Sequence, residues 1–522
     1  MKYKTKICED KMTFQECELA ILRHAVDASE EQARSVGVRN EKIDSIIEIL
    51  EEFLVRKKLV CYGGTAINNI LPKEAQFYNR EMEIPDYDFY SVHALEDAIE
   101  LADIYAKEGY TEVEAKAGVH YGTFKVFVNF TPIADITFLP EGLFNTVQKN
   151  SISVAGIKYC PPDFLRMNMY LELSRPKGDV SRWEKVLKRL TILNEHYPFK
   201  VGYDCHMVDF QRKMDNIPKI TNDNDNDNEE EIQEKIYMTI RDVFIDQGVV
   251  FFGGFASGLY SKYMPIKQRR LLQKVPDFDV LSENPTRIGL IIQERLKDIG
   301  IEHVIITRRE PCGEIIPVHY EISIGKEILA HIYEPLVCHS YNEIEIDGRK
   351  IRVGTIDTLL TFYLAFKYAD RPYYYPDRIM CMANFLFDVQ QKNRLEQRGI
   401  LKRFSIECIG KQKTLDDMRI EKSEKFKELA KKRGTREYNL WFLKYLPSQD
   451  GKKKGIKEEK PEKKEKTVEE DTEEADSPEK NEPIEPVKKI NKTPTKKKSV
   501  PKKNSTKRKK PKNAYQKLFG KG

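Results

Sequence analysis

Apolar positions recur at helical spacing in Ile43, Ile46, Ile47, Leu50, Phe53 and Leu54, which predicts an amphipathic helix. A short apolar run, Leu59-Val60-Cys61-Tyr62, follows and reads as a strand. Gly63-Gly64-Thr65 comes next, then a second helical stretch. Further on stand Pro85-Asp86-Tyr87-Asp88-Phe89 and a strand-like run from Phe130 to Phe138 that contains Asp135. The same order then recurs. A helix from about Glu230 to Asp246 leads to the strand Val249-Val250-Phe251-Phe252, then Gly253-Gly254, then Pro276-Asp277-Phe278-Asp279. Gly63 and Asp86 are 23 positions apart; Gly253 and Asp277 are 24 apart. Ile157-Lys158 before Asp163-Phe164-Leu165 parallels Ile351-Arg352 before Asp357-Thr358-Leu359. Several ordered features at matching intervals predict a duplicated unit.

The two copies are separated by Asn222–Glu231, a polar low-complexity stretch that reads as a linker. Beyond Pro447 the chain is Lys, Glu, Pro, Thr and Ser with few large apolar residues, so a disordered tail is expected. The predicted organisation is an N-terminal helical segment (1–58), a first domain (59–221), the linker (222–231), a second domain (232–446) and the tail (447–522). The fold class expected is α+β (α/β).

Charge refines this picture. The chain of 522 residues carries a net +5, but the part from Gly451 onward carries +11, leaving −6 on the rest. From Lys488 there are 15 basic residues and no acidic one. The tail therefore suits non-specific RNA binding, and its Lys507-Arg508-Lys509-Lys510 run also suits nuclear import. An acidic body must hold any nucleic acid through local patches. The nine cysteines are scattered, with no C-x-x-C pair, which predicts free thiols in a reducing compartment and no zinc site. No signal peptide is expected at the N-terminus. Val249–Tyr260 is broken by glycines and too short to span a bilayer, so no membrane association is expected.

The chemistry concentrates in the first copy. Glycines at a strand-to-helix turn let a backbone approach a phosphate closely, and the helix start offers free N–H groups. Asp86 and Asp88, two apart, share a face if extended, which suits hard divalent cations. Asp135, a carboxylate in an apolar run, would complete a metal-holding triad and orient an attacking hydroxyl. Singly, each acid is equally an ordinary turn residue and Gly-Gly an ordinary turn; it is the ordered set that points to chemistry.

Gly63-Gly64-Thr65, Asp86-x-Asp88 and the distant Asp135 resemble the signature of the DNA-polymerase-β-like nucleotidyltransferases. The body, about residues 40–400, more narrowly resembles the poly(A) polymerase catalytic subunits of poxviruses and other large DNA viruses, on Cys61-Tyr62-Gly63-Gly64-Thr65-Ala66-Ile67-Asn68, Ile84 to Tyr90 and His120-Tyr121-Gly122. The resemblance implies two tandem nucleotidyltransferase-like domains, the second degenerate, each a mixed, mainly antiparallel sheet with helices on one side. It implies Mg2+ or Mn2+ held by Asp86, Asp88 and Asp135, ATP, and an RNA 3′ end. Gly63, Gly64 and Thr65 would hold the triphosphate, with Lys158 and Lys177 as further nucleotide contacts. A homodimer or a processivity subunit is an expected partner. The expected location is the host cytoplasm, with packaging in the virion as a further expectation.

In the second copy Asp277 and Asp279 persist, but His331 falls where the third acid should be and Phe255 replaces the hydroxyl of Thr65. This copy is read as catalytically dead. Lys149, Lys158, Arg166, Arg175, Lys177 and Arg182 are candidates for phosphate contacts, and the run Tyr373-Tyr374-Tyr375 for base stacking; a solvated face or loop packing accounts equally for each. Other readings stay open: a uridylyl- or CCA-adding enzyme, an oligoadenylate synthase, or a non-catalytic RNA-binding subunit.

Overall fold

The computed structural model describes residues 12–35, 41–78, 85–202, 204–210, 229–272, 277–369, 371 and 374–447, with Thr5, Ile7 and Cys8 before them. Linker positions 222–228, Ile84, Tyr373 and the tail from 448 onward lie outside the described residues.

Two helices precede the first sheet: α1 (Phe14–Ser35) and α2 (Glu41–Lys57). The predicted apolar stripe of α2 is its buried face, with Leu50, Phe53 and Leu54 almost wholly removed from water. The first sheet takes β1 (Val60–Tyr62), β2 (Tyr87–Ser91), β3 (Val113–Ala117), β4 (Thr123–Val128), β5 (Thr131–Phe138), β6 (Ile152–Val154) and β7 (Ile157–Tyr159). The second takes β8 (Val250–Phe251), β9 (Phe278–Leu281), β10 (Val304–Arg309), β11 (His319–Ile324), β12 (Glu327–Tyr333), β13 (His339–Ile346), β14 (Arg349–Gly354) and β15 (Cys408–Ile409). The last strand, β16 (Lys444–Tyr445), returns to the first sheet and pairs with β3.

The sheet orders are β16-β3-β4-β5-β2-β1-β7-β6 and β10-β11-β12-β9-β8-β14-β13-β15. Seven strands thus appear in the same spatial order in both, from β3 to β6 and from β10 to β13. Each sheet is mixed: β1–β7 and β2–β5 run parallel, as do β8–β14 and β9–β12, and the other pairs are antiparallel.

Strand alternation sorts the side chains of the first sheet. On β4, Phe124, Val126 and Val128 are buried, while Thr123, Lys125 and Phe127 are half-exposed. Helix α3 (Gly63–Ile70) follows β1, and α4 (Ala94–Lys107) packs on β3, β4 and β5. Tyr105 of α4 donates to the Ile46 carbonyl of α2 at 2.6 Å, satisfying a buried hydroxyl. Large rings such as Phe53, Phe89 and Phe124 fill this core, each contributing roughly 1.5–3 kcal/mol.

The halves meet through the helices Pro162–Leu173 and Ile356–Tyr368. Lys367 pairs with Asp163 at 2.6 Å, and the Ser340 amide donates to the Ser174 carbonyl at 2.8 Å. In the second half Asp357 is fully buried and is held by Arg403 through Nε and Nη2, with Gln390 donating as well.

The thiols depart from expectation. The structure pairs Cys8–Cys17, Cys205–Cys381 and Cys338–Cys408, leaving Cys61, Cys160 and Cys312 free. The partners of the second pair are 176 residues apart, yet their Cα atoms stand 5.7 Å apart. Spacing along a chain does not report such proximity. Among the described residues no helix is long and apolar enough to cross a membrane.

Candidate active site

β1 delivers the chain to Gly63, whose φ of +74° suits glycine. A side chain there would also collide with the Asp88 carboxylate. The turn is therefore glycine for two reasons, and its backbone lies directly beside the acid. A Cβ on Gly64 would press on the Tyr78 hydroxyl, 2.5 Å away, and on Arg189 Nη1, 3.0 Å away. The start of α3 has no side-chain cap. Thr65 is buried, and its hydroxyl donates to the Asp86 carbonyl at 2.6 Å. It thereby holds the strand bearing the acid pair against the helix.

Asp88 lies on β2 directly opposite Asp135 on β5, so the two carboxylates share one sheet face. Asp86 precedes Asp88 by two positions, at the entry to the strand. The three acids feel one another. Burial pushes the Asp88 carboxyl up to about 7, helped by Asp86 and Asp135 and opposed by Lys125 and Arg182. Asp86, although its residue surface is open to water, is also raised, first by the protein around its carboxylate and then by Asp135. Lys125, opposite Asp135 on β4, pairs with it at 2.5 Å. Tyr62, opposite Asp88 on β1, stacks on Tyr90 with ring centroids 4.0 Å apart and reaches Thr137 at 2.8 Å.

Three hard oxygen donors, with the carboxyls of Asp86 and Asp88 raised by burial and by the neighbouring acids, fit a divalent cation, which would relieve that repulsion. Asp88 and Asp135 are in register, with Asp86 just before the strand, but the three are not gathered: among the described residues no three His, Cys, Asp or Glu side chains already stand at metal-holding geometry. Asp135 is instead engaged by Lys125.

The remaining candidates are dispersed. Lys158 sits half-buried on β7, and Lys177 is exposed after the helix Pro162–Leu173. Among the described residues no ion pair links either to the carboxylates. Arg166 is a buried partner of Asp163, and Arg175 pairs with Glu172; both serve packing. Tyr374 stacks on Phe366 at 4.3 Å, while Tyr375 is exposed. Arg182 does reach the site electrostatically. Sequence reasoning missed Lys125 and Arg189. The alternation of β4 carried a signal for Lys125, since it marks a lysine on a half-exposed face; nothing local marks Arg189.

The second half repeats the register with other residues. Asp279 lies opposite His331 and His331 opposite Glu321, where the first half has Asp88, Asp135 and Lys125. A side chain on Gly253 would strike Asp279, as one on Gly63 would strike Asp88. Glu321 is held by Arg309 at 2.7 Å, and His331 stands 3.6 Å from Asp279 and 3.8 Å from Glu321. The acid and base of the innermost cross-strand pair have exchanged strands. A cavity of about 510 Å³ opens beside Asp277, Asp279, His331 and Arg378.

The first sheet thus sets a glycine turn, an acid pair and a third acid beside one another. The resemblance read from the motifs is borne out: residues 48–179 match the family model described as poly(A) polymerase catalytic subunit. An African swine fever virus protein (strain Badajoz 1971 Vero-adapted), provisionally named a poly(A) polymerase catalytic subunit, is 33% identical over 166 residues, which is 31% of this chain and 34% of that protein. A protein of Acanthamoeba polyphaga mimivirus with the same provisional name is 31% identical over 176 residues, 33% of this chain and 28% of that one. The chain thus spans about a third of the length of the curated relatives it matches. The crystal structure of the Megavirus polyadenylate synthase superimposes with a TM-score of 0.64 at 20% identity, covering 85% of this chain and 88% of that one. At that identity the likeness is one of fold, and it extends across both sheets.

Proposed function

We propose that the chain is a template-independent nucleotidyltransferase that adds AMP from ATP to RNA 3′ ends and releases pyrophosphate. The observation that carries this reading is Asp88 in register with Asp135, beside a turn that only glycine fits. The matches at residues 48–179 support the choice of poly(A) addition over other terminal transfers.

In this reading Asp86, Asp88 and Asp135 hold two divalent ions, Mg2+ or Mn2+. When bound, such ions supply charge neutralisation at the reacting phosphate and acidify the attacking hydroxyl. The Gly63-Gly64 backbone and the uncapped start of α3 receive the triphosphate. Tyr62 and Thr137 wall the site, and Asp135 orients the acceptor 3′-hydroxyl and draws off its proton. The 3′ oxygen bonds to the α-phosphorus, the α–β bridging bond breaks, and pyrophosphate leaves. The second half is a degenerate tandem copy that holds the first in shape, and the basic run from Lys488 to Lys521 is a non-specific RNA tether.

Primer extension with each nucleotide supplied separately tests the proposal. ATP alone should be incorporated, and Asp135→Ala should slow extension by about 10²-fold or more. Extension at the normal rate by that variant would refute the site, and equal use of UTP or CTP would refute the base assignment.

A further inference from the structure

The rung that carries the two acids does not stop at Lys125. Lys125 on β4 lies directly opposite Lys116 on β3, and Lys116 directly opposite Lys444 on β16. Read across the sheet, the rung runs Tyr62, Asp88, Asp135, Lys125, Lys116, Lys444. Directly paired residues share a face, and neighbouring strands lie ~4.8 Å apart. Three ammonium groups therefore form a row from the carboxylates to the sheet edge.

The row is accessible. The side chains of Lys125 and Lys116 are 37% and 42% exposed, and Lys444 is exposed. Like charges directly opposite one another destabilise a sheet. The compensation within the protein is partial: Asp135 for Lys125, and Glu114 for Lys116 at 3.4 Å. Among the described residues no ion pair holds Lys444. A ring also lies on this face: Phe127, two positions after Lys125, has the Lys116 ammonium 3.9 Å from its centroid. An acidic body that carries such a row keeps it against its own average charge.

We propose that Lys125, Lys116 and Lys444 form the track for the phosphate backbone of the RNA strand whose 3′ end is extended. The inference rests on the nucleotidyltransferase reading and adds the path of the acceptor. The same cations would attract the triphosphate of ATP, but direction separates the two. The glycine turn follows Tyr62, on the far side of Asp88, whereas the lysines begin beyond Asp135. The nucleotide thus enters from one side of the acids and the acceptor from the other.

The test is binding of a short fluorescent single-stranded oligoadenylate to the full chain in EDTA, read by anisotropy across a salt series, for wild type and for K116Q/K444Q. The basic run from Lys488 contributes equally to both proteins. Affinity at low salt should fall about 10-fold, and the slope of log affinity against log salt should flatten by about 1.4, since each lost single-strand phosphate contact removes about 0.7. The unfolding midpoint of K116Q/K444Q should not fall below that of wild type, since the substitutions relieve like-charge repulsion. In primer extension the KM for RNA should rise while the KM for ATP stays constant. Unchanged RNA affinity and slope would overturn the track and leave the lysines as guards against edge pairing; an equal rise in the ATP KM would also overturn it. Wild type that binds RNA through the row yet adds no nucleotide would sink the polymerase reading alone. Extension with an unchanged RNA KM in K116Q/K444Q would sink the track alone.

Discussion

At the scale of single residues, Asp88 records the tension in the site. Its carboxyl titrates at about 7 in the folded chain, against an ordinary value of 3.8. The folded state therefore binds this proton more tightly than the unfolded one. Stability is highest below the lower value and declines as pH rises through the interval up to about 7. Above pH 7 the ionised group costs on the order of 4 kcal/mol in the metal-free protein. Asp88→Asn should consequently raise the thermal midpoint in EDTA at pH 8 and change it little at pH 4. Mg2+ should raise the midpoint of wild type and not of the variant. A midpoint for Asp88→Asn below wild type at pH 8 would contradict this account. Gly63→Ala is expected to be worse than its size implies. It adds strain at φ +74° and drives a methyl into the Asp88 carboxylate. A loss of about 1–2 kcal/mol in denaturant unfolding is expected from the backbone alone, together with a fall in kcat.

At the scale of elements, the helix Ile356–Tyr368 shows how a buried charge is held. Thr355 caps its start by accepting from the Thr358 amide, and Asp357 in its first turn takes Arg403 side-on. Both partners are nearly dry, with side-chain exposures of 9% and 1%. Removing one leaves the other stranded. Arg403→Met should lower stability by about 3–5 kcal/mol in a urea titration, whereas Arg403→Met with Asp357→Leu should recover most of it. A single variant with unchanged midpoint would show that the pair is not a structural tie.

At the scale of the whole molecule, the two sheets share strand order but not chemistry. His331 replaces the third acid, and Glu321 stands where the first half has Lys125. Reversing one position should not revive the second half. His331→Asp in an Asp135→Ala background should stay inactive in primer extension, because the new carboxylate would face Glu321 directly, where the first half has Lys125 paired to Asp135. Restored tailing would show that the second half needs only its third acid.

The sequence alone determined what is local. Helical spacing marked α2, alternation put Asp86 and Asp88 on one side of a strand, and the repeated glycine turn and acid pair disclosed the duplication. The first two depend on residues a few positions apart, where backbone periodicity dictates direction; the duplication shows as matching intervals along the chain. The tertiary structure alone decided which strands are neighbours. Asp135 meets Asp88 across 47 positions, and Lys444 reaches Lys116 across 328. The joining of Cys205 to Cys381 and the approach of Arg189 to the glycine turn belong to the same class. Strand order follows from how buried faces and helices pack together, a property of the whole core that no local pattern encodes.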